Sequence, residues 1–220
     1  MRTVQVHVEA GVGIAADSGV AAWAFEVELW GVCGQGADER AALDDLRCQV
    51  DDDVRLEVAE RIHGDEQAFA RDRAPCTDAE RKTTLEILAS CRCETLALVR
   101  SCPSVVLDWD DPSRVLPSYA RWRTIRQLAW HVVDTESRYY LPGLGLGYRP
   151  RTEVLPVELV ESAAHVRATV EAMPSDLVRT VDGEVWTSVK LLRRLAWHER
   201  GELVVMKTLA ARARARRDRA

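Results

Sequence analysis

Along the first 62 residues the apolar positions keep mostly to a period of two. "TVQVHVEA" (3–10) alternates in the manner of a half-buried strand, and "AAWAFEVELWGVCGQG" (21–36) is a second strand-like run closed by glycines. "ADERAALDDLRCQVDDDV" then takes helical spacing, with Ala41, Ala42, Leu46 and Val50 on one side and acids on the other. "RLEVAERI" (55–62) reads as a third strand. The pattern therefore predicts a small ββαβ module over residues 1–70, followed by a linker at 71–76.

From residue 77 the period becomes helical. Thr77-Asp-Ala-Glu80 has the form of a capping box, and the helix it opens runs to about Arg100 with Leu85, Leu88, Cys91 and Leu98 along it. A second helix spans about Trp122 to Leu141 and is stopped by Pro142-Gly143. A third runs from about Pro156 to Met173, presenting Leu159, Ala163, Val166 and Val170, and a fourth begins near Thr187. Four amphipathic helices in 77–220 predict an up-down four-helix bundle behind the module, hence an α+β chain of two domains. "PGLGLGYRP" follows no strand and is bracketed by prolines, so it reads as a flexible rim loop and not as a phosphate-binding one.

Composition narrows the partners. With 220 residues and 47% hydrophobic content the chain can bury a real core. It has no apolar run of about 18 residues and no secretory pattern at its start, which makes a soluble cytoplasmic protein the expectation, with no membrane contact. Residues 1–75 hold 16 acids against 7 arginines, net −9. Such a surface repels phosphate backbones, and "ARARARRDRA" reads as the solvated last turns of a helix, so nucleic acid is not an expected partner. None of the six cysteines stands in a zinc-ribbon spacing, and they are expected to be reduced and structural.

The chemistry lies in a repeat. "WRTIRQLAWH" (122–131) and "WTSVKLLRRLAWH" (186–198) both start with Trp and a hydroxyl residue and end in Leu-Ala-Trp-His. In the last helix a 4-3 seam passes through 191, 195, 198, 202, 205 or 206, and 209, which puts His198 and Glu202 where leucine would be expected. An unpaired carboxylate is costly to bury. A divalent metal held by His131, His198 and Glu202 would compensate for it, with Asp134 as an outer acceptor or a fourth ligand. A histidine bonded to Glu202, or a solvated Glu202 on the seam's rim, is the other reading of the same pattern. His165 falls on a flank of its helix, and His7 and His63 belong to the N-terminal module.

"RWRTIRQLAWHVVDTESRYY", with His131, Asp134 and Glu136 as a His-x-x-Asp-x-Glu element, and "GEVWTSVKLLRRLAWHERGEL" resemble the second and last helices of the DinB-like superfamily of metal-binding four-helix bundles. The resemblance covers about Thr77 to Ala210 and implies a metal held by one histidine of helix two and two ligands of helix four. The chain departs from that pattern at Glu202, which stands where the family's H-E-x-x-H element has its second histidine. "FEVELWGVCGQGADERAALDDLR" is similar, at the level of pattern, to HicB-like domains and implies a fold, not antitoxin activity.

By that resemblance the chain is expected to be a thiol-dependent transferase or isomerase acting on a small electrophile with Zn, Ni or Fe. Mycothiol is the expected thiol if the bias to arginine over lysine marks an actinobacterial source. Trp130, Trp197, Tyr139 and Tyr140 are available to line the mouth, and Glu199 or Glu136 to act as a base. Two alternatives stay open: a non-catalytic binding, stress-response or antitoxin-like module with a degenerate site, and a non-haem iron enzyme using the two-His-one-carboxylate set. A homodimer formed through the bundle or the module is the expected assembly.

Overall fold

The computed structural model describes residues 2–13, 18–64 and 66–217. Strand β1 (Arg2–Val12) lies inside a four-stranded sheet. It pairs antiparallel with β2 (Gly19–Ala24), which pairs antiparallel with β3 (Cys33–Gly36). Helix α1 (Glu39–Arg47), capped by the Asp38 carboxylate on Ala41 N–H, leads into β4 (Val54–His63), which returns parallel to β1. The alternation along β1 decides which layer each residue meets. Val4, Val6 and Val8 face Ala42 and Leu46 of α1, while His7 and Glu9 are buried on the opposite face. Gly34 lets α1 approach β3 closely, since a Cβ there would lie 2.2 Å from the Ala42 carbonyl oxygen.

The run 21–36 is therefore not one strand, and the module is βββαβ where ββαβ was expected. After Ala24 the chain makes a 3-10 turn at Val27–Leu29, and Gly31 at φ +74° sends it back into β3. The indole of Trp30, fully buried, donates to Thr84 Oγ1 at 2.7 Å. Burying that large ring among the helices outweighs continuing the strand. Within the expected linker, the 3-10 turn Arg71–Arg73 is held down by Asp72, whose carboxylate accepts from Arg193 at 2.9 and 2.8 Å.

The helices start where their capping boxes lie. Thr77 and Glu80 cap α2 (Asp78–Ser101), and Thr124 and Gln127 cap α4 (Ile125–Asp134) after the single turn α3 (Ser104–Leu107). From α4 the chain continues as a π-helical segment, Thr135–Tyr140, into the short α5 (Leu141–Gly143). Helix α6 (Leu155–Ala172) is followed by a hairpin, β5 (Val178–Val181) and β6 (Glu184–Thr187), that periodicity did not predict. Its turn uses Asp182 and Gly183 at positive φ. Helix α7 (Ser188–Arg217) packs on α2 and α4, and α6 packs on the same two helices.

The first half of α7 is buried on nearly every side, because the sheet covers the face that the other helices leave free. Lys190, Arg193 and Arg194 are almost wholly buried there. Arg194 donates to Glu9 at 2.8 Å, Trp23 Nε1 donates to the other oxygen of Glu9 at 2.9 Å, and the Arg193 guanidinium sits 4.5 Å over the Trp23 ring. Among the described residues no helix is long and apolar enough to cross a membrane.

Candidate metal centre

The two LAWH histidines come from α4 and α7 and meet. His131 Nε2 and His198 Nε2 are 3.1 Å apart, and each lies 3.9 Å from Glu202 Oε1. A triangle with those sides has a centre about 2.1 Å from every corner, which is the length of a zinc bond to nitrogen or oxygen. Among the described residues this trio forms the group of histidine, cysteine and carboxylate side chains placed to hold an ion. Two imidazole nitrogens this close need a proton or a cation between them, because their lone pairs repel.

The surroundings suit a cation. His131 stacks on Trp122 at 3.5 Å between ring centroids, and its Nδ1 is 3.1 Å from Thr135 Oγ1. With Nδ1–H donating to that hydroxyl, Nε2 keeps its lone pair towards the centre. Burial holds the His131 imidazole down at about 4, and His198 well below the ordinary histidine range through burial, then the neighbouring His131 and Arg92. Burial pushes the Glu202 carboxyl up to about 7, against the opposing charge of Arg114. At neutral pH the site therefore offers two neutral imidazoles and a carboxylate at its midpoint, the protonation states that a divalent ion selects. His198 Nδ1 is buried and receives no partner among the described residues.

A cleft of about 980 Å³ opens over these atoms. Arg114, Trp122, Tyr139, Tyr140 and Trp197 line it, and the sheet module contributes Gly13 and Gln35 to its wall. Of the residues expected at the mouth, Tyr139, Tyr140 and Trp197 are there. Trp130 is not; it lies beneath the Arg151 guanidinium at 3.7 Å. Asp134 borders the cleft, but its carboxylate accepts from Arg138 at 2.9 Å and Arg151 at 3.4 Å and stays outside the ligand trio.

Glu199 and Glu136, considered above as bases, point elsewhere. Both accept from the buried Arg92 guanidinium, at 2.5 and 2.6 Å, on the side of α7 that faces α2 and α6, and neither borders the cleft. Burial and the adjacent Glu199 raise the Glu136 carboxyl well above the usual range. His165 is half-buried beside Ser137, its Nδ1 3.3 Å from that hydroxyl, and does not join the trio. The described cysteines are all free thiols.

Sequence reasoning missed Thr135, although its place one turn after His131 is the signal that would have found it. It also used Trp122 only as a helix-start marker and overlooked Arg114, which no periodic pattern singles out. Comparison with protein-family models, with curated proteins and with solved structures brings out no match to this chain.

Proposed function

We propose that this chain is a metal-dependent transferase or isomerase that uses a low-molecular-weight thiol against a small electrophile, with the ion held by His131, His198 and Glu202. The observation that carries the reading is the convergence of the three ligand atoms on one point, from two helices, at the mouth of a cleft. When bound, a Zn²⁺-type ion lowers the pKa of a coordinated thiol and so supplies thiolate at neutral pH.

The chain's own residues supply the rest. Thr135 and Trp122 fix the His131 ring in rotation and tilt. Glu202 brings one negative charge to a centre whose other two donors are neutral. The cleft has room for a thiol and an electrophile together, with Trp197 and Tyr139 on its walls and the Arg114 guanidinium near Glu202 to meet a polar or anionic group.

The test is metal analysis of the full chain as purified, beside His131→Ala, followed by consumption of an electrophile such as 1-chloro-2,4-dinitrobenzene with and without mycothiol. Stoichiometric metal that disappears in the variant, together with thiol-dependent consumption, is the expected result. Iron with oxygen uptake would move the same ligand set to non-haem iron chemistry. A chain that takes up no metal would be left as a binding module.

A further inference from the structure

The loop between α3 and α4 forms one wall of the metal cleft, and Arg114 is the charged residue it brings there. Arg114 Nη1 donates to the carbonyls of Trp122 and Arg123 at 3.2 and 3.3 Å, which ties the loop to the start of α4. Its other edge, Nε and Nη2, gives no hydrogen bond and forms no ion pair among the described residues. The nearest acids of the same loop are spent elsewhere, Asp110 on Arg123 at 2.7 Å and Asp111 on Arg212 at 2.8 Å. The other arginines that line the cleft are paired as well, Arg138 with Asp134 and Glu158, and Arg194 with Glu9.

The charge that Arg114 faces within the cleft is that of Glu202. In the metal-free chain the two offset each other. Once a divalent ion takes Glu202 as a ligand, the ion, the carboxylate and the guanidinium together carry two positive charges in a half-buried place, where charge without a partner is costly. The thiolate of the proposed reaction removes one of them. The other falls to Arg114, whose open Nε and Nη2 edge is a planar pair of donors matched to the two oxygens of a carboxylate. Beside it the wall is apolar, built of Val115, Leu116, Pro117 and Tyr119, and Trp197 of α7 lines the same cleft.

We propose that the cleft takes an electrophile with a carboxylate, which Arg114 holds by its open edge, and an apolar body, which lies on the 115–119 wall. This rests on the metal reading given above, because the bound ion is what frees Arg114 from Glu202.

The experiment is isothermal titration of the Zn²⁺-loaded full chain at pH 8 with 3-phenylpropanoate, a thiol-free probe, with 3-phenyl-1-propanol and acetate as controls for the charge and the body. Expected are saturable one-to-one binding of the acid and at least about tenfold weaker binding of both controls. Arg114→Gln should lose about tenfold or more for the acid while Zn²⁺ uptake, followed with a chromophoric chelator, persists. Arg114→Lys keeps the charge without the fork and should fall between the two. Acid and alcohol binding alike would overturn the proposal, and so would undiminished affinity in a Zn²⁺-binding Arg114→Gln, which would put the carboxylate on the metal. A wild-type chain that takes up no Zn²⁺ would instead remove the metal reading, and with it the charge on which this proposal stands.

Discussion

Lowering the pH from 8 to 6 should weaken Zn²⁺ binding about tenfold, with Glu202 alone responsible. A metal and a proton compete for each ligand atom, so only groups that take up protons in this window matter. The Glu202 carboxyl titrates at about 7, which makes it about nine-tenths ionised at pH 8 and about one-tenth at pH 6, a tenfold difference. His131, held at about 4, and His198, held lower than an ordinary histidine, stay neutral throughout and add nothing. Two unperturbed imidazoles near 6.5 would each add about a fourfold loss, for a total above a hundredfold. Competition against a chromophoric chelator at pH 6, 7 and 8 measures the slope directly. Glu202→Gln should bind more weakly at every pH but with a nearly flat profile. A wild-type loss above a hundredfold, or an unchanged slope in the variant, would refute the reasoning.

The metal-free chain gives an opposite pair of pH effects on stability. The Glu202 pKa is raised in the fold, so its contribution is complete below about 4.5 and is lost as pH rises through about 7; the His131 pKa is depressed, so its contribution holds above about 6.5 and is lost as pH falls through about 4. Denaturant melts of the metal-free chain with and without Glu202→Gln separate the first effect from the second. Asp72→Ala removes the counter-ion of the buried Arg193 and should cost about 3 to 5 kcal/mol, read as a lower denaturation midpoint. Thr124→Ala takes away the cap of the helix that carries His131 and should cost about 1 kcal/mol while metal content is retained. Thr135→Val leaves the fold intact but frees the His131 ring, and Zn²⁺ affinity should fall about 10- to 100-fold.

The helices were legible because their signals are local. The capping box at Thr77 and a 3.6-residue period sit within a few positions of the ends they define, whereas the helix expected from Trp122 begins at Ile125, because Thr124 and Gln127 cap it there, and Pro142 and Gly143 fall inside its last turn. The convergence of His131, His198 and Glu202 was legible because the LAWH repeat places two histidines on inward faces, and Glu202 interrupts the apolar seam one turn after the second of them. What stayed hidden was settled by partners far away in sequence. Arg194 meets Glu9 across 185 positions and Arg92 meets Glu199 across 107, and on its own each of the four looks like a solvated surface charge. The same holds for Trp30: nothing near it reveals that it leaves the strand for a hydroxyl 54 residues on.

Helix α7 faces two ways at once, with His198 and Glu202 toward the cleft and Arg193 and Arg194 toward Asp72 and Glu9. The helical core is for that reason not a part that can be lifted out. Cutting the chain after the sheet would strip Arg194 of its counter-ion, and cutting it a few residues later would strip Arg193 too, one turn before the first ligand on that rod. Anyone wanting the helices alone must first redesign the two guanidiniums, and β1 and the 71–73 turn are handles on the helix that carries His198 and Glu202.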